Sequence, residues 1–247
     1  NVILKWVNYL QDLKDKGELP EDLWITSSDD FSSWGGGDPS YHTEDLNQLI
    51  KAVDYISMHT YPMHNSHYNP AFWLVPEEEY EWSHIEKVES GMQRALDFAI
   101  DQVEKVTYYM KSLGVDKPVH IGETGWATVS NEHYGADGSK AADEYKSGRY
   151  FQLIRDWTNK NNMSCFYFEA FDEQWKDAGN PLGSENHFGL INLEGQAKYG
   201  IWDLVDKGIF KGLIRDGNPI TKTYKGKKED LLVDVHVPPQ KERILNY

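Results

Sequence analysis

At 247 residues the chain is long enough for one large domain or two ordinary ones, each with a real core. Its formal net charge of −15 argues against nucleic acid, phosphate-rich ligands and anionic membranes as partners, and suits a neutral or cationic ligand. The lone Cys165 excludes an internal disulfide framework, and no apolar run is long enough to span a bilayer.

Asn1 leads straight into an amphipathic pattern, as though the sequence began within an element. Ile3, Trp6, Val7, Leu10 and Leu13 form a helical stripe ended by Gly17 and Pro20. Leu23–Ser27 is expected as a strand, with a loop from Ser28 to Phe31 and a flexible glycine segment from Trp34 to Pro39. Thr43 can cap a helix carrying Leu46, Leu49, Ile50 and Val53. Tyr55–Thr60 is the next strand, and an aromatic-rich loop with Phe72, Trp73, Tyr80 and Trp82 follows over residues 62–88. From Met92 to Leu113 apolar residues recur in steps of four and three, the strongest helix in the chain. Pro118 opens a short strand in which alternation puts Val119, Ile121 and Glu123 on one face. Ser139 can cap a further helix, Ser164–Phe171 is a strand, and a last helix around Trp202 ends near Gly208. Beyond Gly212 the chain turns polar and is expected to wrap the domain as a tail.

A helix followed by four strand–helix units implies a parallel sheet with helices outside. Four units are too few to close a barrel but make half of an eight-unit one. Asp29 and Asp30, His59 and Tyr61, Glu123 and Trp126, and Glu169 and Glu173 fall at strand ends, where the active sites of such barrels gather.

A carboxylate ending an apolar strand is expensive unless paired or used, so Glu123 is either a salt-bridged strand end or a working group. Glycoside hydrolysis needs two carboxyl groups flanking the bond, and Glu123 is the best nucleophile candidate. Glu169, Asp172 and Glu173 crowd one strand end, where they repel one another unless something uses them. Glu173 and Lys176 could bind sugar hydroxyls, with Trp175 as a platform; the plain alternative is an electrostatic patch. Trp126 offers a further stacking face, and Trp34, Tyr61 and Trp73 are additional cleft aromatics. Nine tryptophans and fifteen tyrosines fit such a ligand. His59, His64 and His67 lack the spacing of a metal site, so no metal and no cofactor is expected. Gly35–Gly37 lack a phosphate-loop signature and are expected to let substrate approach, while Glu77–Glu79 is expected as a solvated face.

Gly122-Glu123-Thr124-Gly125-Trp126 and Phe168-Glu169-Ala170-Phe171-Asp172-Glu173-Gln174-Trp175-Lys176 together resemble glycoside hydrolase family 17, the β-1,3-glucanases and related glucanosyltransferases. Thr26–Asp29 and Met58–Pro62 resemble that family's fifth and sixth strand ends, and the similarity to the bacterial laminarin-degrading branch covers most of residues 1–212. The resemblance implies a (β/α)8 TIM-type barrel and a retaining double displacement. It makes Glu123 the nucleophile, puts Tyr61 beside it, and places Glu173 and Lys176 at the subsite of the sugar under attack. The family's acid/base glutamate follows an asparagine at the fourth strand end; here Asn131-Glu132 lies instead in the loop after the nucleophile strand. Residues 1–212 are therefore expected to be strands 5–8 of a barrel and 213–247 an extension packed on it. An N-terminal half-barrel segment is then the expected partner, alongside a β-1,3-glucan and without nucleic acid or membrane. The alternatives are a glucanosyltransferase and a non-catalytic glucan-binding barrel or inactive fragment. A polymeric substrate implies secretion, a periplasmic destination or the cell surface.

Overall fold

The computed structural model describes residues 2–241, so Asn1 and residues 242–247 of the expected extension lie outside the described residues. The chain forms two compact units interleaved in sequence: Asn1–Thr60 with Ala99–Thr124 and Thr158–Phe166, and Tyr61–Phe98 with Gly125–Trp157 and Tyr167–Tyr247.

In the first unit, helix α1 (Val2–Asp15) buries Leu4 and Val7 and sends Lys14 to the Asp54 carboxylate at 2.9 Å. Leu23–Ser27 makes no ladder; the strand is β1, Ser28–Asp30, in the stretch expected as a loop. Side chains explain the shift. The Ile25 N–H donates to the Asp54 carboxylate (2.7 Å) and the Thr26 hydroxyl to the Tyr55 C=O (2.5 Å), replacing ladder partners. Helix α2 (Glu44–Ala52) starts as expected, with Thr43 Oγ1 accepting from the Leu46 N–H at 3.2 Å. Strands β2 (Ile56–His59) and β3 (Val119–Gly125) complete a four-stranded sheet with β4 (Cys165–Phe168), in the order β1-β2-β3-β4. The β1–β2 and β2–β3 pairs are parallel.

Residues 99–112 of the long helix α4 (His84–Ser112) belong to this unit and bury Val103, Val106 and Met110. Gly35 and Gly36, in the stretch expected as a flexible segment, pack closely against this helix at Tyr109 and Val106. Ser32–Gly36 is a single π-type turn with Trp34 buried and its Nε1–H on the Ser57 C=O (3.0 Å). Gly35 has φ +86°, and a Cβ on it would lie 2.1 Å from Cδ1 of Tyr109 on α4.

The second unit divides what the sequence presents as one loop over 62–88 into α3 (Pro62–Tyr68), short 3-10 turns at Pro70–Phe72 and Glu77–Glu79, and the start of α4. Trp73 is fully buried, its Nε1–H on the Ser139 C=O at 2.6 Å. Glu79, expected in a solvated run, is buried and accepts from Arg94 (2.5 Å) and Ser90 (2.6 Å), because burial of a carboxylate requires such partners. Helix α5 (Glu144–Lys160) is capped by Asp143, which accepts the Lys146 N–H at 2.9 Å. Ser139, the expected cap, pairs instead with the Ser66 hydroxyl at 2.7 Å.

Next come β5 (Gln196–Ala197), α6 (Trp202–Asp206), the hairpin β6 (Ile214–Arg215) and β7 (Asn218–Pro219), β8 (Thr221–Lys222) and α7 (Lys228–Val233). β8 pairs in parallel with β5. The chain after α7 is tied down by the Val75 N–H on the Pro239 C=O (2.9 Å) and the His84 ring on the Val235 C=O (2.8 Å). Two lysines of this unit are buried and bonded to acceptors. Lys146 donates to Asp143 and to the His236 C=O (2.9 Å). Lys198 donates to Asp172 (2.7 Å), Thr128 (2.9 Å) and the His187 C=O (3.2 Å). Burial pushes both ammonium groups below the ordinary lysine range, against the pull of their aspartates.

Two stability measurements check this account. Gly35→Ala combines a left-handed backbone with a collision against the Tyr109 ring and is expected to cost about 2–4 kcal/mol by denaturant unfolding; an unchanged midpoint would contradict the tight packing. Lys198→Met, which strands the Asp172 carboxylate in the interior, is expected to cost about 3–5 kcal/mol. Adding Asp172→Asn should recover part of that loss in a double-mutant cycle.

Candidate active site

Glu123 sits two residues before the end of β3 and is half-buried. It pairs in register with His59 of β2, and its C=O accepts the Thr60 N–H at 3.0 Å. The preceding pair is Met58 with Ile121, so Gly122 is one extra residue in β3 at this point. The space a Cβ of Gly122 would need is filled by hydroxyls: Ser57 Oγ would be 2.0 Å away and Ser28 Oγ 2.5 Å. Ser28 Oγ in turn lies 2.9 Å from Ser57 Oγ and 2.7 Å from His59 Nε2. A chain of hydrogen-bonding groups from β1 and β2 therefore lies against Gly122, immediately before the Glu123 position. Asp30 is used locally, its carboxylate accepting the Ser32 N–H at 2.8 Å to start the π-type turn.

In the second unit the turn after β4 gathers the other predicted groups. Lys176 Nζ lies 2.7 Å from Glu169 Oε2 and 3.3 Å from Glu173 Oε2, and 3.7 Å above the centroid of the Phe168 ring. Burial raises the Glu169 carboxyl above its ordinary range, opposed by the Lys176 ammonium and reinforced by Glu173. Glu169 Oε1 is buried without a hydrogen-bond partner among the described residues. Glu173 keeps 36% of its side chain exposed, and Trp175 is 73% exposed. Tyr61, the residue before α3, stacks on His64 (4.8 Å) and meets the Phe188 ring edge-on (6.0 Å). Phe188 meets Phe168 at 5.5 Å. Rings thus link Tyr61 to the base of the Lys176 cluster. A cation, two carboxylates and an open indole face on one turn can bind a polyhydroxylated ring by hydrogen bonds and stacking.

Three expected platforms are corrected. Trp126 is fully buried, with its Nε1–H on the Ala141 C=O at 2.9 Å, and packs 5.6 Å from Trp73 and 5.2 Å from Tyr150. Trp73 and Trp34 are likewise core residues. No ring face remains for a ligand, because each indole N–H finds a backbone carbonyl inside the protein. His64 and His67 are engaged in ring stacking, with Tyr61 and with His133 (4.2 Å). Sequence reasoning missed Phe168 beneath Lys176, Phe188, and the Asp172–Lys198 pair that holds the turn. The pattern of a phenylalanine before the acidic run was available for the first; Lys198 carried no signal.

The sequence model of the BtgE/BtgC glycoside hydrolase domain matches residues 9–189. An endo-laminarinase from Formosa Hel1_33_131 is 64% identical with a TM-score of 0.95, over 97% of this chain and 61% of that one. A glucan 1,3-beta-glucosidase of Arthroderma benhamiae is 40% identical over 89 residues, 33% of this chain and 27% of that protein. An active-site mutant of a Rhizomucor miehei beta-1,3-glucanosyltransferase, in complex with laminaritriose, is 18% identical with a TM-score of 0.52, a likeness of fold; it covers 81% of this chain and 56% of that one. The chain thus spans 61% of the endo-laminarinase and 27% of the curated glucosidase. From a match over most of its length, the chain belongs to the BtgE/BtgC glycoside hydrolase family, in the laminarinase-like group of glycoside hydrolase family 17.

Proposed function

We propose that this chain is the nucleophile-bearing part of a retaining hydrolase of laminarin-type β-1,3-glucan. Strands β1–β4 would be the fifth to eighth of a (β/α)8 barrel, with 1–212 as the half-barrel and 213–247 as its extension. The observation that carries the reading is the ion cluster of Glu169, Glu173 and Lys176 on the turn after β4, the strand that follows the Glu123 strand in sequence, in a chain 64% identical to an endo-laminarinase.

In the first step a Glu123 oxygen attacks the anomeric carbon, the glycosidic C–O bond breaks, and the leaving oxygen takes a proton from a second carboxyl group. In the next step that carboxylate takes a proton from water, whose oxygen attacks the same carbon and releases Glu123. A retaining pair stands about 5–5.5 Å apart. The second group would come from a preceding half-barrel segment, the partner this reading requires. The surface of the first unit supports such a partner: Trp6 and Tyr9 of α1 are 61% and 52% exposed, and all of β1 is exposed. Lys176 would donate to a sugar hydroxyl, Glu173 and Glu169 Oε1 would accept, Trp175 would stack on a ring face, and Tyr61 would flank the reacting sugar. Each step is proton transfer and displacement at carbon, chemistry that two carboxyl groups carry out without a cofactor. A polymeric glucan would place the enzyme outside the cell or at its surface. Were acceptor sugar to replace water in the second step, products longer than the substrate would appear from laminari-oligosaccharides.

In protein containing the preceding segment, Glu123→Gln is expected to lower laminarin hydrolysis by about 10³-fold or more. Rapid denaturation of the wild type during turnover should leave a glycosyl ester on the peptide bearing Glu123, with the β-anomer as first product by NMR. An inverted first product or a fully active variant would remove Glu123 from this role.

Glu169 gives a pH signature. Its carboxyl is held above the ordinary value of 4.5, so its contribution to stability is complete below that value and is lost as pH rises through the raised one. Glu169→Gln should therefore gain stability relative to wild type as pH rises, read as a widening Tm difference between about pH 4 and about pH 8. A difference independent of pH would show that burial does not govern this carboxyl.

A further inference from the structure

The second unit holds a cavity of 560 Å³, a size typical of small-ligand sites, lined by none of the residues placed in the mechanism above. It lies among the C-terminal half of α3, the turn at Pro70–Phe72, the loop 136–140 and Pro239. Two buried hydroxyls on its wall have their protons committed. Ser66 Oγ donates to the Met63 C=O (2.6 Å), which makes Ser139 the donor in the 2.7 Å Ser66–Ser139 contact. Both oxygens then have lone pairs but no proton to offer, so this wall accepts hydrogen bonds.

The same cavity is lined by Asp137 and Lys140, neither of which forms an ion pair with a described residue. Lys140 has φ +57°, a backbone state that a lysine adopts only where its surroundings impose it, and its N–H is fixed on the Gly135 C=O at 3.1 Å. His67 completes the polar side, its ring stacked on His133 at 4.2 Å; burial and that second imidazole hold it below the ordinary histidine range. Pro70, Leu74 and Pro239 supply apolar surface.

This set selects a ligand class. An anion would meet Asp137 and two acceptor hydroxyls, and a cation would meet Lys140. A neutral ring rich in hydroxyl donors, with C–H faces for the prolines and leucine, satisfies every group. We propose that this cavity is a second glucan-binding site that holds one or two glucopyranose units of the polymer. Ligand hydroxyls donate to Ser66, Ser139 and Asp137, and one accepts from Lys140. That the ring is glucose rests on the function proposed above; that it is a neutral polyol rests on the cavity alone. Occupancy here ties a long glucan to the protein and leaves the cleavage of a short oligosaccharide unaffected.

Laminaribiose titrated into the full protein, followed by amide NMR, tests this directly. Saturable shifts at residues 136–140 are expected at millimolar ligand. The double variant Asp137→Ala, Lys140→Gly removes both charges, and glycine suits the left-handed backbone, so its Tm should not fall. Laminaribiose affinity at 136–140 should drop about five-fold or more. The KM for laminarin should rise, with cleavage of laminaritetraose unchanged. Absence of shifts at 136–140 up to roughly 10 mM, while residues around Lys176 do shift, would overturn this site and leave the proposed function standing. Shifts of equal affinity in wild type and variant would also overturn it. Saturable binding at 136–140 in a protein that cleaves no β-1,3-glucan would sustain the site and refute the function.

Discussion

The turn that follows β4 hangs on one carboxylate. Asp172 takes the Lys198 ammonium and the Gly189 N–H on one oxygen, while its own N–H and C=O reach Ile191 and the Arg215 guanidinium. That residue is thereby tied to three stretches of the second unit, around Gly189–Ile191, Lys198 and Arg215. Glu169 lies three positions before it and Lys176 four after, so the ion cluster is fixed by its centre. Burying such a pair gains little net stability, since desolvation offsets the attraction. What it does provide is a single placement for the turn, because any other leaves a charge unpartnered in the interior.

Three lysines show how burial decides what a cation can do. Lys146 and Lys198 are enclosed, with acceptors of the protein receiving their hydrogen bonds. Lys176 is 16% exposed and lies between two carboxylates over a phenylalanine ring. The first two are anchors. The third stays partly exposed while its charge is balanced, as the proposed sugar contact requires.

Much of this was legible in sequence where the physics is local. The stripe of α4, the Thr43 cap, and strands β2 and β3 follow from periodicity and capping chemistry, and the acidic turn with its lysine is visible as a cluster. The failures are all non-local. β1 is displaced because Asp54 and Thr26 bond across about thirty residues of sequence. Trp34, Trp73 and Trp126 look like platforms because a sequence cannot say which carbonyl will receive an indole N–H. Gly35–Gly37 read as a flexible segment until the Tyr109 ring is seen against Gly35. Lys198 is an unremarkable lysine in a polar stretch, legible only once Asp172 is found beside it.

The last described segment has a consequence for anyone building chimeric glucanases. Sequence patterning suggests a boundary near Gly212, with a tail wrapped on the domain beyond it. Yet His236 supplies a carbonyl to the enclosed Lys146, and Val235 and Pro239 supply carbonyls to His84 and Val75. Cutting at 212 would leave an ammonium short of an acceptor inside the protein and strip a helix end of its cover. A transplantable block must therefore carry its own strap, and a crossover point chosen at the change in composition would fall in the wrong place.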